Sequence, residues 1–366
     1  MNDALEAIGN ADIIFDAIVA ARRRQASDVH VEPGEGIAMR IFTSVERLPR
    51  SAVGQGAIEA FLEITFDRLA KVRLEKIGMS DATYDHLRAG AIRIHASRGR
   101  TGPRLAIRLL ARSIPDLESL RLPEVVYRFT EWRSGLVLVC GPTGSGKSTT
   151  IASILDRINT TSAQHIVTFE DPVEYVHRWS RSIITQYEVG RDVASFAEGV
   201  RGSLRADPDV LFIGELRTVE TVAACLQAAE SGHLVFAALH TPPETPQAVN
   251  RLIGLFPSEE QDRARARLSE ALRAAVGLRL LPLIDGSGLR AATEILIGTD
   301  AVRRLIRDGS IHQLRSTIAS SRKDGMQTLE SHLTELVEQG EIDVVAARAA
   351  SHYPDDIREP MGYRRR

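Results

Sequence analysis

The stretch Gly141-Pro142-Thr143-Gly144-Ser145-Gly146-Lys147-Ser148-Thr149-Thr150 decides the fold of this chain. It satisfies the pattern G-x-x-x-x-G-K-[ST], in which a glycine-rich loop joins a buried strand to a helix. The apolar run Leu136–Cys140 before it predicts that strand, and apolar residues at helical spacing from Ile151 to Ile158 predict that helix. Backbone N–H groups of such a loop point at phosphate oxygens, and the helix adds its positive N-terminal end. The stretch therefore predicts a phosphate-binding loop, or P-loop.

The residue types of the loop predict its contacts with a nucleotide. We expect Lys147 to reach the β- and γ-phosphates and the hydroxyl of Ser148 to bind Mg²⁺. The residues expected to bind the nucleotide are Thr143, Gly144, Ser145, Gly146, Lys147, Ser148 and Thr149. The guanine-recognition pattern Asn-Lys-x-Asp is absent from the sequence, which favours ATP over GTP.

Acidic residues follow two further apolar runs. Ile166–Phe169 leads into a segment that contains Glu170 and Glu174, and Val210–Ile213 leads through a glycine to Glu215. Because ligands bind at the carboxyl ends of parallel strands, we expect these carboxylates near the phosphates. A hydrolase needs one carboxylate to polarise the attacking water and another to hold Mg²⁺ or its water shell. On its own, the segment 170–174 is equally consistent with a solvated turn. Four apolar residues followed by an acid are typical of a Walker B strand.

Two histidines bracket the fourth apolar run, Leu234–Leu239. His233 precedes this run and His240 follows it. A histidine that follows a buried strand of such a sheet is expected to approach the γ-phosphate. In isolation, a histidine of this kind is more often a core or surface residue with a backbone partner.

The two halves of the chain differ in their patterns. The first half predicts an α+β domain over residues 1–115, with a helix around Ile13–Val19, strands at Val29–Val31 and Ile37–Phe42, a helix at Ile58–Lys76, and strands at Ala91–Ala96 and Arg104–Leu110. Prolines 115 and 123 predict a linker over residues 116–133. Alternating strands and helices in residues 134–366 predict a mostly parallel, doubly wound sheet. From about Pro257 we expect a helix-rich portion, with helices at Asp300–Arg307, Thr328–Glu338 and Asp343–Ala350.

Length, composition and charge narrow the class of protein. The 366 residues suit about two domains, and the net charge of −2 gives no positive field that would favour nucleic acid. The two cysteines form no CxxC pair, so a structural zinc site and a disulfide framework are not expected. The N-terminus lacks the basic region of a signal peptide, and no apolar run approaches the ~18 residues of a membrane span. We therefore expect a cytoplasmic protein without a transmembrane segment.

The four motifs, in this order, resemble those of the secretion ATPase superfamily, which serves type II secretion, type IV pili and type IV secretion. There they are the Walker A, Asp box, Walker B and His box motifs. The resemblance implies that Glu170 and Glu174 are the Asp-box acids, with Glu174 as the catalytic glutamate. It also implies that Glu215 is the Walker B acid and shares Mg²⁺ with Ser148. His233 and His240 are then the His-box histidines.

Within the superfamily the chain is most similar to the pilus retraction ATPases, the PilT group, over nearly its whole length. The segment Ala26–Val31 is similar to that group's Ser-Asp-(Leu)-His opening. Asp300–Arg307 resembles its Ala-Ile-Arg-Asn-Leu-Ile-Arg retraction segment, and Ile311–Gln313 and Gly325–Leu329 match its ending. The chain departs from the group at residues 40–43, which lack an Asp-Gly turn, and at Thr218, where an Asp is usual.

The resemblance implies a fold and an assembly. The fold is α/β, with an N-terminal PAS-like α+β domain followed by a RecA-like P-loop ATPase domain with a helical C-terminal portion. Six copies are implied to form a homo-hexameric ring. Arg93 and Arg108 of the N-terminal domain are implied to approach the nucleotide, although both are also consistent with surface arginines on strands. Arg217, with Arg201 and Arg205, is expected to act across the subunit boundary.

The implied activity is ATP hydrolysis with Mg²⁺, coupled to type IV pilus retraction and twitching motility. The implied partner is an inner-membrane pilus platform protein, at the inner face of the cytoplasmic membrane. The alternatives are a pilus assembly or type II secretion ATPase, a type IV secretion ATPase, and a RecA-like ATPase acting on nucleic acid. The missing tetracysteine zinc motif and the short N-terminal region speak against the first, and the net charge of −2 speaks against the last.

Overall fold

The computed structural model of the chain describes residues 2–41, 44–48, 53–110 and 113–358, with side chains from Ala11 onward. The chain forms two compact units, Met1–Ser113 and Ile114–Arg366.

The first unit is built on an antiparallel sheet of six strands, as far as the described residues show. The strands are β1 (Ala26–Glu32), β2 (Gly36–Ile41), β3 (Ser44–Arg47), β4 (Met79–His86), β5 (Gly90–Gly99) and β6 (Gly102–Leu109). Their order across the sheet is β3-β2-β1-β6-β5-β4. The helices of this unit are α1 (Asn2–Arg23), α2 (Gln55–Thr65) and α3 (Arg68–Ile77).

One face of this sheet carries the core of the first unit. Alternate strand residues such as Val29, Ile94 and Ile107 are fully buried in one cluster with Ile18 of α1 and Phe61 of α2. Because side chains alternate along a strand, the residues between them, which include Arg93 and Arg108, lie on the opposite face of the sheet.

The single helix predicted at Ile58–Lys76 is wrong, since two helices occupy this segment. Phe66 takes an extended backbone conformation, with φ −100° and ψ 131°. The carboxylate of Asp67 then accepts a hydrogen bond of 2.7 Å from the backbone N–H of Ala70 and caps α3. The apolar spacing continues across this break, which is why it suggests one helix. Phe42, predicted to end the second strand, lies outside the described residues.

The second unit contains a sheet of seven strands among the described residues. The strands are β7 (Gly135–Cys140), β8 (His165–Glu170), β9 (Ile183–Glu188), β10 (Val210–Ile213), β11 (Leu234–Leu239), β12 (Leu272–Pro282) and β13 (Leu289–Ile297). Their order is β13-β12-β7-β11-β10-β8-β9. Neighbouring strands run parallel, except that β13 is antiparallel to β12. The predicted α/β class is confirmed, with a mostly parallel sheet in the second unit.

Helices cover both faces of this sheet. They are α4 (Glu124–Tyr127), α5 (Lys147–Thr161), α6 (Phe196–Ser203), α7 (Val219–Glu230), α8 (Thr245–Gly254), α9 (Gln261–Ala271), α10 (Asp300–Arg307), α11 (Leu314–Ser320), α12 (Leu329–Glu338) and α13 (Val344–Ala349). On one face, Ile154 of α5 packs in a cluster with Val137 and Phe236. On the other, Cys225 of α7 packs in a cluster with Cys140. Burial raises the pKa of both thiols, that of Cys140 to about 12.

The portion after Pro257, predicted to be helix-rich, also contains two strands that were not predicted, β12 and β13, which form a hairpin that extends the sheet beside β7. The run Leu272–Leu281 is rich in Ala, Leu and Arg, which are good helix formers, so its composition gives no strand signal. The three predicted helices of this portion are present as α10, α12 and α13, within two residues of the expected ends.

The segment 116–133, predicted as a linker, belongs to the second unit. Leu117, Val126 and Phe129 are buried in the same cluster as Val137 and Ile154. This segment is therefore part of the core of the second unit.

Candidate active site

The P-loop connects β7 to α5 through three glycines with positive φ. Gly141, Gly144 and Gly146 have φ values of 151°, 77° and 92°. A side chain at Gly141 is also excluded by packing, since its Cβ would lie 2.5 Å from the carbonyl oxygen of Leu278 on β12. The sequence folds into this loop because glycine alone adopts these conformations without strain.

Lys147, the first residue of α5, is buried and turns back over its own loop. Its ammonium group donates hydrogen bonds to the carbonyl oxygens of Gly141 (2.9 Å) and Pro142 (2.8 Å). Burial lowers the pKa of Lys147, and the negative charges of Glu174 and Glu215 act in the opposite direction. These two carboxylates are therefore within electrostatic reach of the ammonium group.

Glu170 ends β8 and is held inside the protein. Its Oε1 atom accepts hydrogen bonds from Thr168 Oγ1 (2.7 Å) and Gln186 Nε2 (3.0 Å). Burial raises the pKa of Glu170 to about 7, against the effect of these hydrogen bonds. A carboxyl group that is buried and already hydrogen-bonded is suited to fixing the loop that follows it.

Glu174 lies in that loop and is exposed. The next residue, Tyr175, ties the loop to α5 through a hydrogen bond of 2.8 Å between its hydroxyl and Thr149 Oγ1. Gln186 on β9 donates a further hydrogen bond of 2.9 Å to the carbonyl oxygen of Tyr175. The loop thus holds Glu174 beside the first turn of α5, with its side chain exposed to solvent.

Glu215 follows β10, and its side chain is 15% exposed. Arg217 donates a hydrogen bond to Glu215 Oε1, and His240 Nε2 lies 3.9 Å from Glu215 Oε2. His240 comes directly after β11. Burial and then the charge of Lys147 lower the pKa of His240, so the imidazole is neutral at pH 7.

The predicted residues that the structure brings together are Lys147, Glu174, Glu215 and His240, at the carboxyl edge of the parallel strands. His233 is not among them, since it precedes β11 and lies at the opposite edge of the sheet. A strand rises ~3.3 Å per residue, which puts about 23 Å between the two histidines. The ring Nδ1 of His233 lies 3.0 Å from the carbonyl oxygen of Ala228, which fits a structural role.

The predicted arginines lie in three places, one of which is beside Glu215 of this site. Arg93 and Arg108 face each other on β5 and β6 of the first unit. Arg108 Nε donates a hydrogen bond of 3.0 Å to Asp28, and Arg93 lies 3.9 Å from Asp81. Arg217 pairs with Glu215 as described. Arg201, on α6, and Arg205, just after it, are exposed.

Two residues of this site, Gln186 and Tyr175, were not predicted from the sequence motifs. Gln186 organises the loop of Glu174 from β9, a strand that we did not predict, and it also accepts a hydrogen bond of 2.8 Å from the backbone N–H of His177. Tyr175 adjoins a predicted residue, but only the fold places its hydroxyl at α5. No sequence signal marks either contact.

The donors present fit a Mg²⁺ ion that arrives with a nucleotide. Ser148 supplies a hydroxyl in the first turn of α5, and Glu215 supplies a carboxylate. Mg²⁺ binds oxygen ligands and usually combines one or two protein groups with phosphate oxygens and water. Among the described residues, no group of three or more His, Cys, Asp or Glu side chains is arranged to hold a metal. Ser145 Oγ, buried in the P-loop and without a hydrogen-bond partner among the described residues, likewise fits a loop that closes on phosphate.

Comparison with known proteins identifies the family of this chain and several similar proteins. Residues 9–345 match the family described as type II/IV secretion system protein. The type IV pilus retraction ATPase PilT of Pseudomonas aeruginosa is 36% identical over 344 residues, covering 94% of this chain and 99% of that protein. A twitching motility protein of Neisseria gonorrhoeae is 41% identical over 268 residues, covering 73% of this chain and 71% of that protein.

A solved structure of the pilus retraction motor PilT with bound ADP superposes with a TM-score of 0.85 at 38% identity, covering 94% of this chain and 98% of that one. Within the described ranges, no helix combines the length and the apolar character that a membrane span requires. The predicted resemblance to the secretion ATPases is confirmed, and the chain belongs to the type II/IV secretion system protein family.

Proposed function

We propose that this chain is a motor ATPase that hydrolyses ATP with Mg²⁺ and uses the energy to drive type IV pilus retraction. The observation that carries the proposal is the convergence of Lys147, Glu174, Glu215 and His240 beside one P-loop. Similarity to a pilus retraction ATPase over 94% of the chain supports the direction of work.

When the P-loop binds the nucleotide, the ammonium group of Lys147 exchanges its hydrogen-bond acceptors. The carbonyl oxygens of Gly141 and Pro142 hold the Lys147 ammonium now, and phosphate oxygens replace them when ATP enters. The loop N–H groups and the N-terminal end of α5 bind the same phosphates.

Glu174 is the residue that orients water for in-line attack on the γ-phosphate. It is exposed beside the first turn of α5, where Tyr175 and Gln186 fix its loop. Mg²⁺, when bound with ATP, neutralises negative charge on the phosphates. Glu215, held by Arg217, and Ser148 are the residues that would hold this ion or its water shell. His240, neutral at pH 7, detects the γ-phosphate with its ring N–H.

The coupling of hydrolysis to movement is proposed from the family. The first unit acts as the PAS-like domain, and the second unit acts as the RecA-like domain, in which the segment 116–133 packs against residues 134–366. Arg93 and Arg108 approach the nucleotide, and Arg217 acts at a boundary between copies. Six copies form a ring at the inner face of the cytoplasmic membrane, where the ring turns a pilus platform protein.

The proposal is tested with the purified full chain by measuring phosphate release from ATP. Wild-type protein is expected to hydrolyse ATP. Glu174→Gln is expected to lower turnover about 100-fold while ATP still binds, because general-base catalysis contributes ~10²–10⁴-fold. Glu170→Gln, at the buried acid that ends β8, is the comparison variant. Glu338→Gln, on the surface of α12, is the control. Turnover within threefold of wild type in Glu174→Gln would remove Glu174 from the mechanism.

The direction of work is tested separately in a bacterium that lacks its own pilus retraction ATPase. Expression of this chain is expected to restore twitching motility, and the Glu174→Gln variant is expected not to. ATP hydrolysis in vitro without restored motility points to assembly or secretion instead.

A further inference from the structure

An open cleft of about 450 Å³ adjoins the first residues of the P-loop, within the second unit. Its walls include Pro142, Thr143, His240, Glu244, Arg279 and His352. The Lys147 ammonium rests on the carbonyl oxygens of Gly141 and Pro142. Because this lysine contacts the β- and γ-phosphates in P-loop proteins, the γ-phosphate end of the site is the end that opens into this cleft.

Arg279 gives the cleft a cation without a partner. It lies on β12, is half-buried, and makes no hydrogen bond or ion pair with any residue that the structure describes. Gly277, two residues earlier, faces the same side of the strand, and a Cβ there would lie 1.5 Å from the carbonyl oxygen of Pro243. The loop 241–244 therefore lies directly against this face, next to Arg279. A half-buried guanidinium group with five free donors is suited to an anion.

Arg251 adds a second guanidinium group to the walls of the cleft. Its NH1 atom donates a hydrogen bond of 2.7 Å to the carbonyl oxygen of His240. This contact fixes Arg251 beside the loop that carries His240. The cleft thus presents two arginines on the side of the γ-phosphate.

Glu244 gives the same cleft a buried acceptor. The residue is 6% exposed. One carboxylate oxygen, Oε1, lies 2.8 Å from Nδ1 of His352, whereas the other, Oε2, is buried and has no hydrogen-bond partner among the described residues. A buried carboxylate oxygen without a donor is costly, so this position calls for a ligand that brings an O–H or N–H group.

We propose that this cleft binds the inorganic phosphate that hydrolysis releases, with Arg279 donating to its anionic oxygens and Glu244 accepting a hydrogen bond from its P–OH group. The inference rests on the proposed ATP hydrolysis. Free phosphate carries a P–OH group at neutral pH, whereas the γ-phosphate of ATP bound to Mg²⁺ does not. The carboxylate of Glu244 therefore favours the product over the terminal phosphate of the substrate.

Sulfate distinguishes this proposal from simple attraction of anions. It has the shape of phosphate and a charge of two, but it has no proton to donate at neutral pH. A site with arginines alone binds both ions, whereas a site that also contains a buried carboxylate rejects sulfate, because two acceptors would face each other.

The test is calorimetric titration of sodium phosphate and of sodium sulfate into the full chain saturated with Mg·ADP, so that the P-loop is occupied. Phosphate is expected to bind at least about tenfold more tightly than sulfate, the scale of one charge-assisted hydrogen bond. Glu244→Gln is expected to remove this preference, and Arg279→Gln to weaken the binding of both ions by about tenfold. The surface variants Glu338→Gln and Arg322→Gln are the matched controls and should behave as wild type.

Equal binding of phosphate and sulfate by wild-type protein, or no binding of either, overturns the inference. So does a preference for phosphate that survives in Glu244→Gln. If that variant does not fold, as its melting curve will tell, the comparison of Arg279→Gln with Arg322→Gln decides. ATP hydrolysis by the wild type is measured in the same experiment. Hydrolysis without a preference for phosphate contradicts this inference alone, whereas the absence of hydrolysis contradicts the proposed function.

Discussion

Lys147 donates both of its described hydrogen bonds to carbonyl oxygens of its own loop, and these acceptors hold the ammonium group where phosphate is expected. The arrangement explains how a buried lysine is tolerated without a nucleotide. Two neutral acceptors and the nearby carboxylates Glu174 and Glu215 offset part of the cost of burial. The same lysine then gains full anionic partners when phosphate enters.

Lys147→Ala is expected to weaken ADP binding about 10- to 100-fold, because a charge-assisted contact with phosphate contributes ~1.5–3 kcal/mol and the lysine reaches the β-phosphate of ADP. Titration with a fluorescent ADP analogue measures the change. Lys323→Ala, on the surface of the second unit, is the control. ADP affinity within threefold of wild type in Lys147→Ala would contradict the assigned role.

The residues of the site differ in how far the sequence predicts them. Lys147 and Glu215 follow from local patterns, because each lies a fixed number of residues after a buried strand. His233 and His240 look equivalent in sequence, yet a parallel sheet puts the two ends of one strand at opposite edges, and only His240 reaches the site. Arg279 comes from β12, whose Ala-, Leu- and Arg-rich run gives no strand signal, whereas Gln186 lies on β9, whose Ile, Thr and Tyr residues are typical of a strand that was not predicted. Which partners the two side chains contact depends on the tertiary fold.

At the scale of elements, β13 ties two helices to the sheet through one buried carboxylate. Glu294 is 1% exposed. Its Oε1 atom accepts hydrogen bonds from the backbone N–H (2.7 Å) and hydroxyl (2.9 Å) of Thr245, the first residue of α8, and its Oε2 atom accepts one of 3.4 Å from the N–H of Leu329, the first residue of α12. The helix α8 follows the loop of His240, so this clamp also supports the active site.

Burial raises the pKa of Glu294 from 4.5 to about 7. Between these values the folded state binds a proton that the unfolded state does not, so the contribution of Glu294 to stability is present below about pH 4.5 and is lost as the pH rises through 7. Glu294→Gln removes this dependence. The free energy of unfolding of wild type relative to the variant is therefore expected to fall by ~1–2 kcal/mol from pH 5 to pH 7.

Urea unfolding of both proteins at the two pH values measures this difference. His332 acts in the opposite direction, because burial lowers the pKa of His332 to about 4, but its effect is common to both proteins and cancels. Glu338→Gln, an exposed acid on α12, should keep the wild-type pH dependence. An identical pH dependence in Glu294→Gln would show that Glu294 does not titrate in this range.

The helix α10 has a buried apolar side that packs in the core and an exposed side that carries arginines. Val302 and Ile306 are fully buried, whereas the side chains of Arg304 and Arg307 are exposed, with weak ion pairs to Asp308 (3.5 Å) and Glu270 (3.6 Å). Deleting the helix would remove core residues. Changing only the two arginines leaves the core intact, since exposed ion pairs contribute ~0–1 kcal/mol.

The double variant Arg304→Gln, Arg307→Gln is expected to keep its melting temperature and to hydrolyse ATP within twofold of wild type, while pilus retraction is lost. Twitching zones of a complemented retraction mutant measure the loss. The matched control changes Arg322 and Lys323, which lie on another exposed surface, to glutamine. Full motility of the α10 variant would separate this helix from retraction.

At the scale of the whole molecule, the chain has two units, each built on its own sheet. One hydrophobic cluster packs on a face of the first sheet, and clusters pack on both faces of the second. The parallel strands of the second unit are evident from sequence because strands buried on both faces are continuous apolar runs. The hairpin of β12 and β13 is not, since its Ala- and Arg-rich run is equally typical of a helix. The segment 116–133 looks like a linker because of its prolines, although its apolar residues pack in the cluster of the second unit that also contains Val137 and Ile154.

The proposed ring gives a prediction at this scale. Light scattering of the full chain with Mg²⁺ and a slowly hydrolysed ATP analogue is expected to give a mass near six times 40.2 kDa. Arg217→Gln is expected to reduce turnover by at least about tenfold without changing this mass. An arginine at the boundary between copies stabilises the negative charge on the nucleotide, and this role does not require it to hold the copies together. A single-chain mass at every protein concentration up to 50 µM would exclude the ring under these conditions.

The burial of Cys140 and Cys225, the two cysteines of the sequence, has a practical consequence. The thiolate is the form that reacts with maleimide dyes, and burial keeps both groups protonated and covered at neutral pH. Dyes can therefore be attached to introduced cysteines without first removing the native ones. Leu87, fully exposed in the first unit, and Val345, exposed in the second, offer one position in each. Energy transfer between such a pair would measure whether the separation of the two units changes when ATP is added.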